Sequence, residues 1–207
     1  MTDFFKRLIT ISRTPSFARI VDQWQDCNLF ENDLPEIHQM KFCDQPAQYH
    51  PEGDVWKHTL AALYNIDLSE FPEDDHWIIN LAIFFHDIGK PTAMSVEEST
   101  GKIRYLGHDA AGCRIFDEVC RRHGVTDLEL IENIKFPIKN HMKLHLFNEM
   151  RQKKINALVE HEKWPILKAV GKADIYSRRY NEDGTMSHID CDCEYGKISK
   201  YDHVIKM

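Results

Sequence analysis

The stretch AIFFHDIGK, residues 82–90, decides how the chain is read. Four apolar residues, Ala82 to Phe85, run directly into His86 and Asp87, and Gly89 and Lys90 close the run. Such a run belongs on a buried helix, and an imidazole beside a carboxylate is costly to bury unless something pairs with both. A cation would do so. The Lys that follows could set its ammonium, a compact point charge, beside a bound phosphate. The plainer reading is a solvated Lys favourable to a helix end.

Outward from this stretch, most segments repeat at helical period and few alternate as strands do. HWIINLAIFFHDIG (76–89) predicts a helix that stops at Gly89 and Pro91. VWKHTLAALYNI (55–66) predicts another, with Asp54 as its cap. The first forty residues predict one or two helices, FARIVDQWQDC among them, and then a polar connector holding Pro35 and Pro46. KPTAMSVEESTGKIRYLG (90–107) reads as loop.

A helix is expected from His108 to His123, ended by Gly124. TDLE (126–129) matches a capping box, opening a helix to Met142 that bends at Pro137. NEMRQKKINALVEHE (148–162) and PILKAVGKADIYSRRY (165–180) complete the helical set, the latter with Pro in its first turn. The periodicity then weakens. The expectation is an all-α chain: a helical N-terminal extension over 1–45, a single bundle over 46–180 with a metal site in its core, and an irregular tail over 181–207.

The composition suits one soluble domain: 207 residues, 43% hydrophobic and 29% charged. A net charge of -7 gives no basic field for long duplex DNA, while small phosphate-bearing ligands remain open to a local site. No apolar run approaches the ~18 residues of a membrane span. MTDFFKRLIT lacks the apolar core of a signal peptide. The six cysteines form no CxxC pair and read as reduced thiols. A cytoplasmic protein without membrane contact is the expectation.

The twelve histidines inform by position. His58, His86 with Asp87, His108, His141 and Asp174 fall on different predicted helices, and facing helices of a bundle bring such side chains together. Imidazole and carboxylate together suit Mn, Fe, Co, Ni or Zn, and Mg when oxygen dominates. His58, His86, Asp87 and Asp174 would hold one ion. His108 and His141 could hold a second, with Asp87 bridging the two at roughly 3.5–4 Å. A single helical His or Asp is more often a surface or hydrogen-bonded core residue. The local wording argues otherwise here: apolar-HD-x-G-K, then G-H-D, N-H-M and K-A-D.

On these motifs the chain resembles the HD superfamily of metal-dependent phosphohydrolases. It is most similar to the HD domain attached to bacterial tRNA nucleotidyltransferases and poly(A) polymerases. The matching stretches are YHPEGDVWKHTL, LAIFFHDIGKPTA, GKIRYLGHDAAGC, KNHM and VGKADIYSR, over roughly residues 46 to 180. The resemblance implies that His58, His86, Asp87 and Asp174 are the four metal-binding positions. It makes His108 and His141 the extra histidines of two-metal members, and Lys90 the Lys that points at the scissile phosphate.

The implied activity is metal-dependent hydrolysis of phosphate esters: 2′,3′-cyclic phosphates, 2′-nucleotides and phosphomonoesters, of small nucleotides or RNA ends. In that chemistry Asp87 holds the metal and orients a water, and Lys90 meets the phosphoryl oxygens. His108 or His141 protonates the leaving oxygen if it is not itself a ligand. His50 would line the mouth of the site, and Arg178 is the candidate to reach substrate phosphate, with a rim charge as the plainer reading.

A deoxynucleotide (tri)phosphohydrolase or a cyclic-nucleotide phosphodiesterase is the alternative, and a non-catalytic nucleotide-binding module a third. Larger relatives carry a nucleotidyltransferase domain with a Gly-Ser loop and a D-x-D pair. Residues 1–45 contain neither, so the HD module alone is expected. SHIDCDCE (187–194) reads as a solvated acidic loop. His38, His76, His123, His145, His161, His188 and His203 read as surface residues.

Overall fold

The computed structural model describes residues 1–201, so His203 lies outside the described residues. The chain opens with helix α1 (Asp3–Ser12), capped by the Thr2 side chain, which accepts from the Phe5 N–H. Then come α2 (Phe17–Asp26) and two single turns, α3 (Phe30–Asp33) and α4 (Pro35–His38). Phe5, Leu8, Phe17, Phe30 and Ile37 from these elements are fully or almost fully buried in one cluster with Phe84 and Phe85. Phe5 stacks on Phe85, and Phe17 meets Phe84 edge-on.

Helix α5 (Val55–Asn65) begins where expected, with Asp54 accepting from the Lys57 N–H at 2.9 Å. Helix α6 (His76–Phe85) is the centre of the bundle, and every residue from Ile78 to Phe85 is buried. A helix that is apolar all round is one that neighbours surround. Each of Phe84 and Phe85 adds roughly 1.5–3 kcal/mol by leaving water.

The end of α6 differs from the sequence expectation. It stops at Phe85, and His86 to Gly89 form a turn whose N–H groups reach back, Ile88 to Phe85 and Lys90 to Asp87. Pro91 does not stop a helix. It sits in the first turn of a short one, α7 (Lys90–Ala93), where a missing N–H costs nothing. Gly89 is required by a close approach: a Cβ there would lie 2.0 Å from the His108 carbonyl oxygen and 2.5 Å from the Gly112 nitrogen. The absent side chain lets the next long helix cross against this turn.

The expected loop contains a minimal antiparallel hairpin, β1 (Ser95–Val96) with β2 (Ile103–Arg104). Helix α8 (His108–His123) ends on Gly124, whose φ of +64° is left-handed. Helix α9 (Leu128–His145) is capped by Asp127, not Thr126. The Asp127 carboxylate takes both the Glu129 and the Leu130 N–H. The helix continues through Pro137 and past Met142.

Helices α10 (Gln152–Val159) and α11 (Trp164–Ser177) follow, both shorter than the periodic stretches suggested. The tail is not irregular throughout: α12 (Cys191–Ser199) packs on α11, with Asp190 as its cap. SHIDCDCE is therefore a helix start rather than a solvated loop, and Cys191 is buried against the Ile175 carbonyl.

The result is the all-α bundle that the periodicity predicts. Helices α1, α5, α9 and α11 surround α6, α8 lies along α9, and α11 runs along α5. A smaller apolar cluster, with Phe147, Trp164 and Ile198, ties α10, α11 and α12 together. Among the described residues, no helix is long and apolar enough to cross a membrane.

Candidate metal centre

The turn after α6 delivers His86 and Asp87 to the middle of the bundle, and four other helices meet it. His58 comes from α5, His108 from the start of α8, His141 from α9 and Asp174 from α11. All six are buried, Asp87 to 1% exposure. Three of the histidines hold their Nδ1 against a backbone carbonyl: His86 on Ile83 at 2.7 Å, His108 on Tyr105 at 2.8 Å and His141 on Ile138 at 3.0 Å. His58 places Nδ1 2.6 Å from Glu52 Oε1, with Ser177 Oγ 2.9 Å away. These partners accept, so each Nδ1 carries the proton and each Nε2 presents a lone pair.

The lone pairs converge on Asp87. Its Oδ2 is 3.2 Å from His86 Nε2 and 3.4 Å from His58 Nε2, while Oδ1 is 3.5 Å from both His108 and His141 Nε2. The Nε2 atoms of His58 and His86 stand 3.4 Å apart, those of His108 and His141 3.1 Å. Asp174 Oδ1 completes the first group at 3.2 Å from His58 Nε2. Two trios, His58–His86–Asp174 and Asp87–His108–His141, each keep their ligand atoms within 4.8 Å of one another.

Facing lone pairs repel, and neither Asp87 oxygen receives a well-directed hydrogen bond. Lys90 Nζ does stand 2.6 Å from Oδ2 as an ion pair. A divalent cation in each group resolves the conflict, and the donor set of imidazole and carboxylate suits it. The residues present therefore fit one ion, or two with Asp87 between them.

The protonation balance without a cation points the same way. Burial pushes the Asp87 carboxyl up, but His86 and Lys90 outweigh it and hold Asp87 well below the usual range. Asp174 is likewise held down by His145 and His58 against its burial. Burial opposes charge on His58, yet hydrogen bonds to Asp174 and Glu52 raise it to about 9. The carboxylates thus draw a proton where a metal would otherwise sit.

A cavity of about 370 Å³ opens onto Asp87, His108, His141 and Asp174. His50, Lys90 and Arg178, the residues expected to meet substrate, all line it. Their engagements differ from the sequence reading. Lys90 is 5% exposed, and its ammonium is held by Asp87 and by Gln45 Oε1 at 2.7 Å. Arg178 is not a rim charge: it is buried and paired with Glu194. His50 Nδ1 donates to Glu52 Oε1 at 2.9 Å.

Glu52 and His145 are the side chains that sequence reasoning missed. Glu52 accepts from both His50 and His58, and these bonds lower it to about 2 against the upward push of burial. His145 Nε2 is 2.9 Å from Asp174 Oδ2. It stands one helical turn after His141, a spacing that places both on one face and could have marked it. Two other histidines read as surface residues are buried. His123 sits against Phe4 and Phe5 with Nε2 on the Asp33 carbonyl, and His38 beside Phe42. His161 is half-buried and stacked on Phe136, and His76 is half-buried on the Phe71 carbonyl; His188 is exposed.

No protein-family model matches the chain. Curated relatives do. A multifunctional CCA protein of Shewanella denitrificans is 36% identical over 96 residues, 46% of this chain and 21% of the relative. An A-adding tRNA nucleotidyltransferase of Deinococcus radiodurans is 28% identical over 115 residues, 56% of this chain and 26% of the relative. A multifunctional CCA protein of Polaromonas naphthalenivorans is 26% identical over 143 residues, 69% of this chain and 32% of the relative. The matched part of this chain thus spans between a fifth and a third of those relatives. Over about half its length the chain is thus similar in sequence to tRNA nucleotidyltransferases and resembles the HD domain that such proteins carry.

Proposed function

We propose that the chain is a divalent-metal-dependent phosphohydrolase acting on phosphate esters of nucleotides or RNA ends, of the 2′,3′-cyclic phosphodiesterase, 2′-nucleotidase or phosphatase type. One observation carries the reading: four imidazole lone pairs are aimed in pairs at the two oxygens of a single buried carboxylate, beneath an open cavity. The name of one relative, an A-adding tRNA nucleotidyltransferase, supports the nucleotide class of substrate.

His58, His86, Asp87 and Asp174 would hold one ion, and His108, His141 and Asp87 a second. When bound, such ions supply Lewis acidity toward a phosphoryl oxygen and bring a water's pKa toward neutrality. The chain's own residues do the rest. Asp87 fixes both histidine pairs relative to the cavity, and Glu52 and the backbone carbonyls orient the rings. Lys90, beside Asp87 and in the cavity wall, offers positive charge where phosphoryl oxygens gather it. His108 and His141, with Nε2 turned to Asp87, fit the ligand role better than that of an acid for the leaving oxygen.

The test is elemental analysis of the purified protein, with turnover of a 2′,3′-cyclic nucleotide measured under added Mn, Ni, Co and Mg. Bound metal, and turnover abolished by Asp87→Ala, are expected. Turnover confined to deoxynucleoside triphosphates or to a cyclic 3′,5′-nucleotide would replace this substrate class with the alternatives. Absence of metal and of turnover would leave a nucleotide-binding module.

A further inference from the structure

We propose that Gln45 is a positioning residue: its side-chain carbonyl holds the Lys90 ammonium at the cavity wall and leaves one N–H of that ammonium for an oxygen of a bound phosphate. The inference rests on the phosphohydrolase reading in taking the cavity's ligand to be a phosphate.

An ammonium has three donors and one positive charge. Lys90 uses two of the donors inside the protein, on Asp87 Oδ2 at 2.6 Å and on Gln45 Oε1 at 2.7 Å. The Tyr105 ring, 5.8 Å from Nζ, attracts the charge without taking a hydrogen bond. Lys90 is 5% exposed and lines the cavity, so the remaining donor is left for what enters there.

The two acceptors are not equivalent. His86 Nε2 and His58 Nε2 stand 3.2 and 3.4 Å from the same Asp87 oxygen that Lys90 meets. An ion held by His58, His86 and Asp174 would therefore share that oxygen with the ammonium, and two cations on one oxygen repel. Gln45 is then the anchor that keeps Lys90 in place. Being an amide, it accepts without carrying charge, so the ammonium's charge still faces the phosphate. A carboxylate in its position would cancel that charge.

The surrounding backbone holds Gln45 still. Pro46 follows it and confines it to extended conformations. The neighbouring carbonyls are all engaged: Cys43 accepts from the Val55 N–H at 3.0 Å, Asp44 from the Tyr105 hydroxyl, and Pro46 from the Tyr49 and His50 N–H groups, each at 2.9 Å. Gln45 itself is 8% exposed. An ammonium only donates, so Oε1 must be the atom that faces it, and Nε2 is left buried without a partner. A side chain serving the core alone would avoid that orphaned donor. Here it accompanies the presentation of the oxygen to Lys90.

A double-mutant cycle on phosphate binding tests this, by calorimetry of inorganic phosphate with Mn²⁺ just saturating the protein. Gln45→Met removes the acceptor and keeps an unbranched chain of like length. It is expected to weaken phosphate binding about tenfold. In a Lys90→Met background the same change should alter phosphate binding by less than about twofold, because a residue that acts through Lys90 has nothing left to position. Gln45→Leu repeats the comparison should the Met variant not fold, and melting curves check each protein.

An unchanged phosphate affinity in folded Gln45→Met overturns the proposal. So does equal weakening in both backgrounds, which marks a purely structural role. Absence of phosphate binding by the intact protein overturns it without any variant. Failure of the phosphohydrolase reading is separate: it shows as the expected coupling between Gln45 and Lys90 with no ester turned over under any metal.

Discussion

The Nε2 atoms of His108 and His141 face each other at 3.1 Å, while the Nδ1 of each ring is tied to a backbone carbonyl. Neither ring can turn away without abandoning its carbonyl, so the contact is relieved by a proton on one Nε2 or by a cation between them. If the site binds metal as proposed, its removal is expected to cost stability. With metal at a thousand times its dissociation constant, binding adds about 4 kcal/mol, and a chelator should lower the melting temperature by roughly 10 °C. Calorimetry with and without chelator checks this.

Asp87 reaches both histidine pairs, one oxygen to each. Asp87→Ala is expected to release every bound ion, whereas His141→Ala should reduce the metal content and leave His58, His86 and Asp174 occupied. Plasma emission analysis of the two variants reads the stoichiometry directly. Equal metal contents would show that Asp87 is not shared.

Glu52 and His145 each support a group that faces the metal site without facing it themselves. Glu52→Gln and His145→Ala should each weaken metal affinity by roughly 10–100-fold and leave the fold intact. Titration of metal-free protein, with circular dichroism as the control for folding, separates these effects.

Gly89→Ala places a methyl group into the His108 carbonyl oxygen, where backbone rather than a mobile side chain must yield. The expected loss is about 3 kcal/mol, or roughly 10 °C in melting temperature. Metal content should fall with it, since the His86–Asp87 turn and His108 must separate.

Much of this was legible because it was local. The Asp54 cap, the limits of α8 and the apolar run of α6 are each signalled within a few residues. Where two local signals competed, the reading failed. Thr126 and Asp127 are both good caps, and the longer carboxylate of Asp127 takes two N–H groups. Gly89 reads as a stop, yet its role is the approach of α8, which no neighbour in sequence announces. The motif histidines stood out by their wording. Glu52, His145 and the Arg178–Glu194 pair acquire their roles from partners on other elements or a helical turn away. The weak period of the tail hid α12, where Cys191 and Ile198 are the buried positions.

The first four helices contain no motif, yet Phe5 and Phe17 press against the same two phenylalanines that precede His86. They act as the anvil on which the His86–Asp87 turn is set. A version of the chain trimmed to its motifs would wet the back of α6 and let that turn drift, leaving the ligands present in composition and lost in register.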